Sequence, residues 1–295
     1  MSMINWNELW KEMNRQAGTD NSSDFWDAFA PRFRKKVKDK DPYVEQFYEL
    51  AEIKPGDTLF DMGCGSGTLA IPYAKKGHEV YAADFSQGML DNLMMGAAEE
   101  GVADRIHPIK LDWNEDWSQR ELPVCDVAFS SRSIICDDLT QALKNLESVA
   151  RRRCCMAVWD SPNSGYDRYV ADAVGYERPG CGTYVYVLNE LIDRDVFPEL
   201  LFVKSPFRSS KYETFEQGVE KLRGGFERPL TEEQERIFLE YCNKHLVFHI
   251  VEDGGGVSAR KDAQGKKEFW QLDHDTMSTT AFIRWDKENV YGKIR

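Results

Sequence analysis

Three glycines at alternate positions, in Asp61-x-Gly63-x-Gly65-x-Gly67, constrain this chain more than any other stretch. Thr58 to Met62 reads as a short buried strand, and Gly67 to Lys76 as the helix that follows it. Glycine lets the backbone turn sharply and approach a ligand with no Cβ in the way. The helix start then offers backbone N–H groups to that ligand. Such a loop suits a nucleotide-like cofactor. It is not the dinucleotide fingerprint G-x-G-x-x-G: Gly67 falls one place early, and an acid two residues before the first glycine has no part in that fingerprint.

Downstream residues support the same site. Glu79 to Ala83 is β-like and ends in Asp84, about 20 residues after the first glycine, where an open α/β sheet places a carboxylate that accepts from ribose hydroxyls. Asp112 ends a third such run and is followed by Trp113. Three successive strand ends thus carry Asp, and a parallel sheet gathers its ligands at those ends. From Pro55 to Asp160 this order resembles the class I S-adenosylmethionine-dependent methyltransferases, on Asp61 to Gly67, Asp84, Asp112-Trp113 and Asp126 to Ser133. The resemblance implies a doubly wound, mostly parallel, seven-stranded Rossmann-like α/β sheet, closed by an antiparallel hairpin of its last two strands. It implies S-adenosyl-L-methionine as cofactor and S-adenosyl-L-homocysteine as product. The glycine loop would hold the methionine part, Asp84 the ribose, and Asp112 the adenine amino group, with Trp113 on the ring. The implied binding set is Asp61, Gly63, Cys64, Gly65, Gly67, Asp84, Phe85, Met89, Asp112, Trp113 and Ser130.

Composition narrows the partners. A net charge of −12 over 295 residues speaks against nucleic acid, whose binders show a basic face. The one basic triplet, Arg151 to Arg153, falls where a helix should end and would complement its dipole. No run approaches the length needed to span a bilayer, and the first residues lack the features of a signal peptide. Seven cysteines without paired spacing suit a reducing cytoplasm. Cys64 reads as a small buried filler rather than a nucleophile. A soluble, cytoplasmic monomer or homodimer is expected.

In chain order, residues 1–51 read as three helices. Asn5 and Glu8 cap the first, and Asp41-Pro42 starts the third. The second carries Phe25, Trp26 and Phe29 and resembles the aromatic lid of small-molecule methyltransferases. Residues 52–160 form the cofactor-binding core of a single domain. Its helices stop at Gly77 and Gly101, Asp137 caps a later one, and Asp126 to Ser130 and Cys154 to Trp159 are its fourth and fifth strands. Residues 161–245 read as a helical insertion shaping the acceptor pocket, with helices over Asp167 to Gly175, Tyr212 to Arg223 and Thr231 to His245. Residues 246–295, with strands at Leu246 to Val251 and Thr279 to Trp285 and an exposed connection at Gly254 to Lys267, complete the sheet.

Methyl transfer from a sulfonium is an in-line displacement that needs no metal and no covalent intermediate; alignment alone is worth ~7–11 kcal/mol. Oxygen and nitrogen acceptors that carry a proton also need a base, for which Asp160 and a carboxylate or Tyr from the lid or cap are the candidates. Arg132 suits an anionic acceptor or the carboxylate of the cofactor. Trp26, Phe29, Arg132, Trp159, Tyr166 and Tyr169 are the candidate pocket residues for a small-molecule acceptor. Ser130-Ser-Arg-Ser133 lacks the proline-rich aromatic motif of methyltransferases that act on amino groups of DNA bases. A protein acceptor, or a cofactor-binding protein without transfer chemistry, are the alternatives. Cys242, His245 and His249 carry helical metal-ligand spacing, but the strand-like run from Leu246 separates them, so no metal is expected.

Overall fold

The computed structural model describes residues 4–17, 22–33, 41–159, 167–177, 182–207, 210–226, 228–251 and 267–287. Three helices come first: α1 (Trp6–Ala17), α2 (Ser23–Phe33) and α3 (Pro42–Leu50). The expected caps are present. Asn5 Oδ1 accepts from the Glu8 N–H at 3.0 Å, and Asp41 Oδ1 from the Tyr43 N–H at 3.0 Å, with Pro42 supplying its fixed φ at the first helical position. The Trp10 indole N–H donates to the Cys136 carbonyl at 2.8 Å, so this aromatic is core rather than lid.

Strands and helices then alternate as β1 (Leu59–Met62), α4 (Ala70–Lys75), β2 (Val80–Asp84), α5 (Gln87–Glu99), β3 (Ile106–Lys110), β4 (Cys125–Ser131), α6 (Leu139–Ser148) and β5 (Ala150–Trp159). All four residues of β1 are buried, which requires a neighbour on each edge and cover on both faces. It has them: β1 pairs in parallel with β2 and with β4, β2 with β3, and β4 with β5. The chain runs outward from β1 to β3, then returns to lay β4 on the other side of β1. That reversal is the switch point at which such sheets leave a crevice beyond their carboxyl ends. Gly77 and Gly101, at φ +98° and +71°, end the helices as expected. α6 is capped by Asp138, one residue later than expected, through the Gln141 N–H.

The remaining elements are α7 (Arg168–Ala173), α8 (Thr183–Asp193), β6 (Glu199–Phe207), α9 (Phe215–Arg223), α10 (Glu232–His245), β7 (Leu246–Val251), β8 (Lys267–Leu272) and β9 (Thr276–Asp286). The main sheet has seven strands, mostly parallel, in the order β3-β2-β1-β4-β5-β9-β6. Here an expectation is corrected. Leu246 to Val251 does not complete this sheet; it pairs antiparallel with β8 as a separate ribbon, and β6 takes its place beside β9. The run Leu-Val-Phe-His-Ile-Val specifies a strand but not its partner: Leu246 is buried at its start, while Phe248 and Ile250, further along the same face, are exposed. The sixth strand lay unrecognised in the stretch read as helical.

The chain falls into two compact units. One comprises Met1–Val158, Thr183–Phe202 and Ala281–Arg295, the other Trp159–Gly182 and Val203–Thr280. The insertion is therefore not one contiguous helical segment: α8 belongs with the sheet, its Val187 and Leu191 in the same core as Leu143 and Leu146 of α6. The second unit has its own core around Phe238, Cys242, Val170 and Tyr176, and Thr231 with Gln234 forms the expected capping box of α10. No described helix is long and apolar enough to cross a membrane.

Arg151 to Arg153 do not end a helix. α6 stops at Ser148 and the triplet opens β5, at the amino end of the sheet. Arg151 pairs with Asp126 and Arg152 with Asp57 at 2.6 Å. Arg153 makes a two-pronged contact with Asp286, at 2.7 and 3.0 Å, and meets Glu52 at 2.7 Å. A single residue, Val149, separates α6 from β5, leaving no room for a basic cap.

Candidate functional site

The crevice beyond β1 and β4 is built around Gly63 to Gly67. Both the Gly63 and Cys64 N–H groups donate to the Ala83 carbonyl, at 2.8 and 3.0 Å, which ties the loop to the end of β2. Gly63, Gly65 and Gly67 all take positive φ, at +74°, +53° and +89°, the left-handed region that only glycine enters without strain. The expected reason for two of these glycines needs revising, because protein atoms fill the space a side chain would need. A Cβ at Gly63 would lie 2.3 Å from Ser133 Oγ, and one at Gly67 would lie 2.5 Å from Leu93 Cδ1. Gly63 and Gly67 therefore let the loop pack against its own scaffold.

Ser133 is the residue that sequence reasoning passed over. Its hydroxyl donates to the Met62 carbonyl at 3.0 Å and meets the Ser130 hydroxyl at 2.9 Å, while its carbonyl accepts from the Trp113 indole N–H at 2.9 Å. Trp113 is buried and stacked on Trp117, with centroids 5.6 Å apart. This run of contacts holds the end of β1 to the segment after β4. The signal for it was Ser133 itself, three residues after Ser130 in the motif already singled out.

Asp61 and Asp84 sit side by side beneath the loop, both buried. Asp84 accepts from the Gly65 N–H and the Ser86 N–H, each at 2.9 Å. Burial nonetheless raises its pKa above the ordinary carboxylate range, against the pull of those two N–H groups. Burial and the charge of Asp84 push Asp61 up to about 8. Two acids in low dielectric, shifted upward by burial and by acidic neighbours, form a site short of positive charge. A carboxylate has about four acceptor positions, so Asp84 keeps capacity for hydroxyl donors after serving two backbone groups.

The other expected residues are placed as follows. Cys64 is buried, and its thiol is driven well above its usual pKa by burial, which fits a filler. Met89 is buried in the first turn of α5, its N–H on Ser86 Oγ at 3.1 Å, and Phe85 is half-buried beside it. Asp112 is half-buried and turns its Oδ1 back to the Asn114 N–H at 2.8 Å. Trp26 and Phe29 form a three-ring cluster with Phe25, at centroid distances of 5.5–6.1 Å. The helix carrying them is latched to α5 by Asp27, a residue that was not foreseen. Its Oδ1 accepts from the Ser86 hydroxyl and from the Gly88 N–H at 2.9 Å. Tyr169 lies in the second unit, exposed and edge-on to His274. Asp160 and Tyr166 fall outside the described residues, and Trp159 closes β5.

Arg132, at the carboxyl end of β4, has a positive φ of +56°. Its guanidinium lies over the Tyr43 ring, 4.1 Å from the centroid. The Tyr43 hydroxyl bonds the Ser131 hydroxyl, and burial raises the phenol pKa. Tyr43 sits just after the expected Asp41-Pro42 helix start, where nothing in one sequence shows that it reaches β4.

Comparison with known proteins agrees with this geometry. A family profile described as "Methyltransferase domain" matches residues 59–153, that is, β1 into β5. An uncharacterised protein of Haemophilus influenzae is 30% identical over 199 residues, covering 66% of this chain and 73% of the relative. The tRNA 5-carboxymethoxyuridine methyltransferase of Escherichia coli is 33% identical over 103 residues, covering 35% of this chain and 40% of that enzyme. The malonyl-[acyl-carrier protein] O-methyltransferase of Serratia marcescens is 34% identical over 110 residues, covering 36% and 39%. The chain spans less than half the length of these last two. Glycine loop, crevice and relatives agree: the chain belongs to the class I S-adenosylmethionine-dependent methyltransferases.

Proposed function

We propose that this methyltransferase acts on a small molecule and places the methyl group on a carboxylate oxygen. The observation that carries the reading is Arg132 stacked on Tyr43 beside the glycine loop. A guanidinium offers paired N–H donors that match a carboxylate, and the ring beneath fixes its plane. Ordering Arg132 in this way reduces what is lost when it grips an acceptor. A carboxylate is ionised at neutral pH, so its oxygen is already a nucleophile and no base has to remove a proton. The names of two relatives point the same way, since a carboxymethoxy group and a malonyl group each end in a carboxylate. The net charge of −12 favours a small acceptor over a polyanion such as tRNA.

The cofactor supplies a methyl group made electrophilic by a cationic sulfur. The residues of the crevice fit such a group: Asp84 has acceptor capacity for ribose hydroxyls, and the buried acid pair suits a ligand carrying positive charge. In this reading Gly63 to Gly67 and Asp61 face the methionine part, and Asp112 meets the adenine edge. Cys64, Phe85, Met89 and Ser130 shape the walls, and Trp113 acts by holding Ser133. Arg132 and Tyr43 then aim one acceptor oxygen along the line of transfer, where alignment contributes most.

Cell extract incubated with methyl-labelled cofactor and the protein tests this. Label is expected in the small-molecule fraction and should be released by mild alkali, as a methyl ester requires. Label in tRNA or protein, or an alkali-stable product, overturns the reading. Arg132→Met should raise KM for the acceptor at least tenfold while leaving cofactor affinity unchanged.

A further inference from the structure

Outside the crevice, one cluster in the second unit brings together side chains that ligate metals. His245 is the last residue of α10, and Asp273 and His274 form the turn after β8. His245 Nδ1 lies 3.1 Å from both Asp273 oxygens, and His274 Nδ1 lies 2.6 Å from Asp273 Oδ1. The three ligand atoms are all within 4.8 Å of one another. The trio read from spacing does not assemble: Cys242 is buried in the unit's core, and His249 of β7 is stacked on Phe269 of β8. His245 instead finds partners 28 and 29 positions further on. We propose that His245, Asp273 and His274 form a binding site for one divalent transition ion of the zinc or nickel kind, which pins the end of α10 to the turn after β8.

Five features support the site. The backbone already presents it, because the Asp273 N–H donates to the His245 carbonyl at 2.9 Å and holds the two segments in register. Ligand atoms about 2.0–2.2 Å from one tetrahedral ion stand roughly 3.3 Å apart, so the two contacts to Asp273 are already near that spacing and the widest pair closes by up to about 1.5 Å. His274 has an outer partner: its Nε2 lies 3.0 Å from the Tyr241 hydroxyl. That contact serves both tautomers. Without an ion, Nδ1–H faces Asp273 and Nε2 accepts from the phenol; with Nδ1 on the ion, Nε2–H donates to the phenol oxygen, the usual arrangement behind a ligating imidazole. Tyr241 also packs against His245, at 4.4 Å between centroids, and the edge of Tyr169 meets His274, so both imidazoles are restrained. Finally, the carbonyl end of a 14-residue helix attracts a cation.

Two imidazoles and one carboxylate select first-row transition ions over calcium or magnesium, which take oxygen ligands. All three side chains are 23–40% exposed, so an ion has a way in and water can complete its coordination.

The test uses the whole chain, stripped with chelator, desalted, and titrated with Zn²⁺, with Mg²⁺ and Ca²⁺ in parallel. One Zn²⁺ per chain is expected, with a raised Tm, and no response to Mg²⁺ or Ca²⁺. Co²⁺ should give the spectrum of a nitrogen–oxygen site without a thiolate charge-transfer band, which separates it from binding by cysteine. Asp273→Asn, which changes little in shape, and His274→Ala should each weaken Zn²⁺ at least tenfold, and Tyr241→Phe by about tenfold through the outer contact. Absence of binding, a thiolate band, or unchanged affinity in both Asp273→Asn and His274→Ala overturns the proposal. The readout is ion binding, so the outcome does not depend on the acceptor assigned above.

Discussion

The two ends of the main sheet treat charge in opposite ways. At the amino end every arginine of the 151–153 triplet has a carboxylate partner, and Arg284 joins the same network through Glu52 and Glu199 at 2.7 Å each. Those contacts hold Glu52, Asp126 and Asp286 below the usual carboxylate range: hydrogen bonds from Arg153 lead for Glu52 and Asp286, and those from Thr58 and Arg151 outweigh burial at Asp126. At the carboxyl end Asp61 and Asp84 are buried and shifted the other way. Carboxylates thus serve the fold at one end, and in the function proposed here they meet a ligand at the other. The difference lies in whether the protein itself supplies the counter-charge. Where it does, the acid stays ionised and stabilises; where it does not, burial favours the protonated form, and under the proposed function a cationic ligand would draw the proton off.

The largest effect expected from this contrast is on pH dependence. The folded pKa of Asp61 lies far above the unfolded value near 3.8, so between about pH 4 and pH 8 the folded chain keeps a proton that the unfolded chain has lost. Stability contributed by this group therefore falls as pH rises through that window, by at most about 1.4 kcal/mol per unit. Asp61→Asn should flatten the fall, and S-adenosylmethionine should raise Tm more at pH 8 than at pH 6. Thermal unfolding across that range measures both, and an equal slope in wild type and variant would count against the shift. Asp84→Asn comes next. It removes the charge and puts an amide group opposite one of two backbone N–H donors, so cofactor affinity should fall by about 2–3 kcal/mol in calorimetry, and unfolding stability by about 1 kcal/mol for the N–H left without an acceptor.

At the opposite end the signs reverse. Arg153→Met keeps the bulk of a side chain that is 9% exposed but leaves Asp286 and Glu52 without their shared cation. Both acids reach water, so the cost should be modest, about 2 kcal/mol of stability in denaturant unfolding. Cofactor affinity should not change. A loss of affinity equal to that of Asp84→Asn would dissolve the distinction between the two ends.

How much of this was legible depended on how local each signal was. The strand–loop–helix around Gly63, the acid ending β2 and the caps at Asn5, Asp41 and Thr231 are set by neighbours in sequence and stand where periodicity and capping chemistry put them, except that the helix starts at Ala70, three residues later than expected, because Gly65 to Leu69 form turns. Choices made between distant segments were not legible. Whether Leu246 to Val251 pairs with β9 or with β8 depends on partners well outside the run, 16–26 residues away in β8, and the run itself does not choose between them. Ser133 against Gly63, Tyr43 beneath Arg132 and Asp27 on Ser86 are likewise contacts across 59–89 positions. The sequence named Gly63 and Arg132 as part of the site and quoted Ser133 at the end of a motif, but gave no role to Tyr43, Asp27 or Ser86.

Asp27 offers the finest probe of the carboxyl end, because it decides whether α2 is scaffold or lid. Its carboxylate takes the Ser86 hydroxyl and the Gly88 N–H, and these two hydrogen bonds hold its pKa down. Asn92 adds a bond to the Ala30 carbonyl at 2.7 Å, and Ala30 approaches so closely that a Cβ at Gly88 would lie 3.0 Å from it. The helix is thus docked on α5 through polar contacts and one small-residue gap. Its rings are not sealed: Phe25 is 42% exposed. Asp27→Ala should cost about 1 kcal/mol, since two hydrogen bonds to a partly exposed acid are lost. If α2 closes over the cofactor, adding S-adenosylmethionine should slow hydrogen exchange along residues 23–33, and the gain should shrink in Asp27→Ala, because a loosened helix starts from a more open state. Equal protection with and without cofactor would mean that Phe25, Trp26 and Phe29 only pack, and that the crevice is covered by something other than α2.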